Sequence, residues 1–212
     1  VLSFSSEQIK FCINGIGTKT KNNLKYTQDE SLFLFSQIAK GILYLQTELK
    51  VAHFAICPEN IFITPQFDIK ISNLVYFSKF TDITSIIEPN LFPINTSFFD
   101  IDPRFPSPEL KQHRNLTANV DIYMLGLTIL YCYEGNSLLN DLIEHKDQSN
   151  FIVNYLNTCN TIPDDIKELI KPFFNENPIE RPKITDIANS EVLSPLIIKV
   201  LDFIDSVSEK PI

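Results

Sequence analysis

The sequence predicts a mainly α-helical domain with one small β-hairpin, and three observations carry that expectation. Leu34, Ile38, Ile42, Leu45 and Leu49 recur at helical spacing and form one apolar stripe. Asp121 to Tyr133 is apolar on nearly all sides, which is the pattern of a helix buried at the centre of a domain. Ile61-Phe62-Ile63 and Ile69-Lys70-Ile71 are short apolar runs on either side of a turn at Pro65 to Asp68, as a hairpin requires.

Taken in order, Val1 to Phe4 reads as a short strand, broken by Ser5 to Gln8. A polar stretch, Thr18 to Tyr26, precedes the first strong helix. Thr27 and Glu30, three residues apart, fit a capping box at that helix's start. Residues 79 to 119 are loop-rich, with Pro89, Pro93, Pro103, Pro106 and Pro108. So long a loop in a compact domain is functional or descends from a functional segment. Gly135 stands where the central helix should end. Pro163-Asp164-Asp165 opens another helix, with acids at the positive end of its dipole and apolar residues at Ile166, Leu169, Ile170 and Phe173. Asn177-Pro178 and Arg181-Pro182 punctuate a loop. Helices are expected from Ile184 to Val192 and again from Pro195, with Ile197, Val200, Leu201 and Ile204 on one stripe.

With 44% hydrophobic residues in 212, the chain has enough apolar material for one domain with a sizeable core. Its net charge of -8 argues against nonspecific binding to nucleic acid or to an anionic membrane, both of which need positive charge. The four cysteines, at 12, 57, 132 and 159, stand singly and form no C-x-x-C pair. They read as free thiols in a reducing compartment. Asn95-Thr96-Ser97 and Asn115-Leu116-Thr117 match the glycosylation acceptor pattern and read as inert in a cytosolic chain. The most apolar run, Tyr123 to Tyr133, is well short of the ~20 residues that span a bilayer. A starting Met and a basic leader are missing, so the chain reads as cut from something longer.

The chemistry-bearing motifs lie between and around these elements. His53-Phe54-Ala55-Ile56-Cys57-Pro58-Glu59-Asn60 resembles the kinase catalytic-loop pattern H-R-D-L-K-P-E-N. Ile71-Ser72-Asn73-Leu74-Val75 stands where I-S-D-F-G is expected. Ser107-Pro108-Glu109 is similar to the A-P-E that closes an activation segment. Asp121-Ile122-Tyr123 with Gly126 is similar to D-x-W-S-x-G, and Arg181-Pro182 to a late R-P signature. In this order the pieces resemble the C-terminal lobe of a protein kinase. Residues 1–8 then look like the hinge strand, 9–192 like the lobe, and the N-terminal lobe is largely absent. The closer resemblance is to the SCY-like pseudokinases and their clathrin-associated branch. It makes 193–212 a helix leading toward helical repeats beyond this chain.

The resemblance implies losses in the chemistry and retention of the frame. Ala55 replaces the Asp that accepts the proton of the attacking hydroxyl, and a methyl group cannot do so. Phe54 replaces the Arg that reads a loop phosphate, and Cys57 replaces the Lys. Asn73 replaces the Asp that bridges magnesium to the phosphates, and a neutral amide holds that hard cation poorly. Val75 replaces a Gly that permits positive φ. Glu59, Asn60 and Asn73 are left as vestigial positions for nucleotide or metal. His53, Glu109, Asp121 and Arg181 are retained with structural roles: Glu109 and Arg181 as a buried ion pair, Asp121 as an acceptor for backbone N–H groups near His53.

No catalytic residue, no metal site and no cofactor are therefore expected. The function implied is a catalytically inactive pseudokinase lobe acting as a protein-interaction scaffold in coated-vesicle membrane traffic. Its partners would be vesicle-coat or adaptor components rather than nucleic acid. Its location would be cytoplasmic, on Golgi, endosomal or coated-vesicle membranes through those partners, without a transmembrane segment. The alternative is a residual ATP-binding protein kinase of the serine/threonine type.

Overall fold

A computed structural model describes residues 14–16, 26–64, 68–74, 77–87, 102–112 and 115–193. Residues 1–8, the turn at 65–67, Val75, Asn95 to Ser97 and the helix expected from Pro195 lie outside the described residues.

Helix α1, Gln28–Thr47, begins as its sequence dictates. The Thr27 hydroxyl accepts the Glu30 N–H at 3.2 Å, and the Glu30 carboxylate accepts the Thr27 N–H at 2.8 Å. Two of the orphan donors of the first turn are thereby satisfied. Leu34, Ile38 and Ile42 are buried on one face, joined by Phe35 and Ala39. The stripe stops earlier than expected. The helix ends at Thr47, Lys50 takes φ of 54°, and Leu49 is 46% exposed. A residue beyond the last turn no longer follows the helix period, so its place in the pattern does not bury it.

The hairpin forms between β3, Ile61–Ile63, and β4, Ile69–Ile71, in the register Ile61↔Ile71, Phe62↔Lys70 and Ile63↔Ile69. A short strand β1, Asn14–Gly15, adds antiparallel to β3 and completes a three-stranded sheet. A second pair, β2 (Val51–Ala52) with β5 (Ser78–Lys79), was not expected; two-residue strands carry too little pattern to read. The loop-rich stretch also contains a short helix, α2, Pro108–Gln112.

Helix α3, Val120–Glu134, is the centre of the molecule, and all fifteen of its residues are buried. Gly135 ends it with φ of 72°, a conformation without steric cost for glycine. Gly126 serves a different need. A Cβ there would sit 2.6 Å from Cζ of Phe174, whose ring lies edge-on to Tyr123 at 5.3 Å. Glycine lets the 3-10 turn Lys171–Phe174 press against α3.

Four helices follow: α4 (Asn136–Glu144), α5 (Gln148–Thr158), α6 (Asp164–Ile170) and α7 (Ile184–Ala188). Helix α6 starts after Pro163 with two acids in its first turn, as expected. Helix α7 is shorter than the expected 184–192; it stops at Ala188, with Asn189 as its C-cap. Helices α4 and α5 carried no expectation, because their buried positions are few and α5 buries Ser149 among them. The result is mainly helical with small antiparallel β elements. Among the described residues no helix is long and apolar enough to cross a membrane.

Candidate functional site

The loop His53 to Asn60 leaves β2 and is gripped by the first turn of α3. Asp121 Oδ2 accepts the His53 N–H and Oδ1 accepts the Phe54 N–H, each at 2.8 Å. The Gln46 side-chain amide, from α1, donates to Asp121 Oδ2 at 3.3 Å and to the Ala118 carbonyl at 3.0 Å. Asp121 is completely buried, and that desolvation pushes its pKa up to about 6 against the opposing pull of those three hydrogen bonds.

The His53 ring faces the other way. Its Nδ1 accepts the Ala55 N–H at 3.2 Å, which places the proton on Nε2, and Nε2–H donates to the Ser72 carbonyl at 3.0 Å. Both nitrogens are thus used by the neutral ring, and burial lowers its pKa to about 4. Asn60 Nδ2 donates to the Ala55 carbonyl at 2.8 Å, and the Ser72 N–H donates to the Asn60 carbonyl at 2.8 Å. Ala55 is therefore held by both its backbone groups while presenting only a methyl.

Phe54 is buried with φ of 60°, in the left-handed region that a bulky side chain rarely adopts. The grip of Asp121 on its N–H helps hold it there. Asn73 is half-buried and also left-handed, at φ of 63°, which asparagine tolerates. Cys57 is buried; desolvation, and secondarily the Glu59 carboxylate, push its thiol up to about 12. Such a thiol is neutral and unreactive at neutral pH. One Glu59 oxygen, Oε2, is shielded from solvent without a hydrogen-bond partner.

The second focus is Arg181. Its Nη1 and Nη2 donate to Oε1 and Oε2 of Glu109 at 2.5 and 2.9 Å, and both side chains are almost fully buried, at 0% and 7% exposure. Nη1 also donates to the Asn119 carbonyl at 3.1 Å and Nε to the Asn175 carbonyl at 2.9 Å. The guanidinium lies over the Tyr123 ring at 5.0 Å. Arg181 thereby joins α2, the turn before α3, α3 itself and the loop after α6.

Sequence reasoning named both Asp121 and Arg181 but missed their supports. Gln46, Asn119 and Asn175 belong to no motif pattern, and two of them contribute a backbone carbonyl, which any residue has. Ser72 and Tyr123 lay inside motifs, without a supporting role assigned to either. The structure brings His53, Phe54, Ala55, Asn60 and Asp121 together around one loop, and Glu109 and Arg181 into a separate bonded pair.

Asn60 and Asn73 offer neutral amide oxygens, and Asn60 has its amide nitrogen committed to Ala55. This donor set does not fit magnesium, which takes hard anionic oxygens. Among the described residues no group of three or more His, Cys, Asp or Glu is placed to hold a metal ion.

The family model of the protein kinase domain matches residues 8–193, a span that contains every site residue described above. The chain belongs to the protein kinase domain family. Its mainly helical arrangement is that of the C-terminal lobe of such a kinase. Among curated relatives, this kinase-family chain is 27% identical over 187 residues to "Protein kinase-like protein SCY1" of Saccharomyces cerevisiae, covering 82% of this chain and 23% of that protein. It is 26% identical over 161 residues to "Mitogen-activated protein kinase kinase 1c" of Physcomitrium patens, covering 72% of this chain and 44% of that protein. The chain thus spans less than half the length of either relative.

Proposed function

We propose that this chain is the C-terminal lobe of a catalytically inactive kinase-fold protein that acts as a protein-interaction scaffold. The observation that carries the reading is Ala55. Its backbone is held by His53 and Asn60, within the segment that resembles a kinase catalytic loop. At the position where a kinase holds its proton acceptor, it offers a methyl. Asn73 and Asn60 supply no anionic oxygen for magnesium. The frame that Asp121 and Arg181 build needs no nucleotide.

Coated-vesicle traffic is the process we assign to this scaffold, with vesicle-coat or adaptor components as partners. The assignment rests on the resemblance to the SCY-like pseudokinases, to which the yeast similarity adds support. The protein would then work in the cytoplasm and reach Golgi, endosomal or vesicle membranes through those partners.

The test is the thermal shift and phosphotransfer of the full-length protein with ATP and magnesium, then with ATP and EDTA. A ligand that binds only the native state at 100 times its Kd adds ~2.7 kcal/mol, well within detection. The scaffold reading expects no magnesium-dependent shift and no transfer to a protein acceptor. A magnesium-dependent shift with turnover would replace it by the second reading, a residual serine/threonine kinase. The similarity to a moss kinase kinase and the retained Asn60 favour that second reading.

A further inference from the structure

Arg104 builds a second brace, in the loop before α2. Its Nε donates to both Asp102 oxygens at 2.9 Å, and Nη2 donates to Asp102 Oδ2 as well. Nη1 donates to Oδ1 of Asn136 at 2.6 Å and to Oδ1 of Asn140 at 3.2 Å, both on α4. The backbone N–H of Arg104 adds a bond to Asp102 Oδ1 at 3.0 Å. The guanidinium lies 5.8 Å from the centre of the Phe105 ring, and Phe105 is buried edge-on against Tyr131 of α3 at 5.9 Å. The brace thus fastens the loop at 102–105 to α4, beside Tyr131.

A second carboxylate stands at the same place. Glu59 Oε2 is shielded from solvent without a hydrogen-bond partner, and Glu59 forms no ion pair among the described residues. Its charge nevertheless reaches both neighbours. It adds to the rise that burial imposes on the Tyr131 phenol, a rise that Arg104 opposes. After the bonds and charge of Asp102, it also helps to hold the Arg104 guanidinium in its charged form. Two carboxylates therefore share one cation around Tyr131, and only Asp102 is bonded to it. Leaving a buried carboxylate oxygen unsatisfied is costly. Asp102 is the acid more easily released. It belongs to the same loop as Arg104 and keeps 19% exposure, so water can replace the guanidinium there, whereas Glu59 Oε2 is out of reach of solvent.

We propose that Arg104 is a two-position latch: in the position described above it joins Asp102 to α4, and in the second it turns to Glu59 and ties the same loop to the segment His53 to Asn60. The second position satisfies the orphaned oxygen. It gives up the bonds to Asn136 and Asn140, which are bonds to neutral amides. The two positions fasten the loop to different elements, so a contact that shifts α4 or frees Asp102 moves the population toward Glu59. The latch depends on the charges of this loop and does not rest on the scaffold reading.

Amide hydrogen exchange of the full-length protein tests the latch, read on peptides covering 102–107. Glu59→Gln alone should change exchange there by less than about two-fold, because Glu59 is not bonded in the first position. Asp102→Asn should speed it only modestly, since Arg104 then turns to Glu59. Adding Glu59→Gln to Asp102→Asn should speed it by a further ~ten-fold or more. Arg104→Gln removes both positions and should match that double variant. Should Asp102→Asn fail to fold, Asp102→Ser, which keeps an uncharged oxygen in the turn, takes its place in each comparison. Equal exchange in Asp102→Asn and Arg104→Gln would overturn the proposal, since Arg104 would then have no second position. An Asp102→Asn protein indifferent to Glu59→Gln would also overturn it, leaving a buried water as the partner of Glu59. An effect of Glu59→Gln alone as large as that of the double variant would replace the latch by a fixed bridge.

Discussion

Asp121 holds the backbone N–H of His53 at 2.8 Å across 68 residues of sequence, and its second oxygen holds the next N–H at the same distance. A carboxylate on the central helix thus sets the path of the loop that would carry a kinase's chemistry. The ring of the same histidine fastens the far side of the loop to Ser72.

Asp121 and His53 bring opposite pH dependences to stability. Burial lowers His53 from 6.5 to about 4. Between these values the unfolded chain binds more protons, so the stability His53 lends is present above 6.5 and lost as pH falls toward 4. Asp121 is raised from 3.8 to about 6. In that window the folded chain binds more protons, so its contribution is present below 3.8 and lost as pH rises through 6. Between roughly pH 4 and 6 the two slopes offset each other. Urea denaturation at fixed pH values should therefore show that Asp121→Asn loses stability on acidification through this window. His53→Asn should gain it. Parallel curves for the two variants would refute the opposition.

Removing one side of the Arg181–Glu109 pair strands a buried charge. Glu109→Ala should cost ~3–5 kcal/mol, and Arg181→Ala at least as much because it also frees the Asn119 and Asn175 carbonyls. Replacing both at once by Leu and Met should recover much of the loss. Chemical denaturation of the three variants decides it; a Glu109→Ala protein with unchanged stability would show that the pair holds nothing.

Gly126→Ala should destabilise by about 1–3 kcal/mol, since the new methyl meets a Phe174 ring that is itself buried against Tyr123. Phe174→Leu in the same chain should return part of that loss. Additive melting-temperature changes would mean that the two positions do not touch.

On the proposed reading, Ala55→Asp restores the proton acceptor of a kinase in name only. Position 55 is completely buried, and Asn73 still lacks a magnesium carboxylate. The variant is expected to lose stability by about 1–3 kcal/mol and to transfer no phosphate. A radiolabel transfer assay above the wild-type blank would contradict this.

Much of the scaffold was legible because its signals are local. The capping box at Thr27 and Glu30, the two apolar triplets of the hairpin, the all-apolar run of α3 and the Pro-Asp-Asp start of α6 each act within a few residues. Leu49, the early end of α7, and the whole of α4 and α5 were not legible, for a shared reason. Where a helix stops, and whether a polar-rich segment such as Asn136 to Glu144 forms one, depends on what packs against it. At the site, motif patterns named Asp121, Glu109 and Arg181 but could not name Gln46, Asn119 or Asn175, since a supporting amide or carbonyl leaves no spacing to recognise.

From its residues alone this chain is committed to a helical kinase-type lobe and to a methyl at Ala55 and an amide at Asn73, the two positions on which the inactive-lobe proposal rests, because side-chain chemistry is written position by position. Only the folded arrangement decided that Asp121 bends the loop at His53 from 68 residues away and that Arg181 gathers four segments. Those relations arise from long-range packing, in which the strength of a contact depends on the burial and company of groups far apart in the chain.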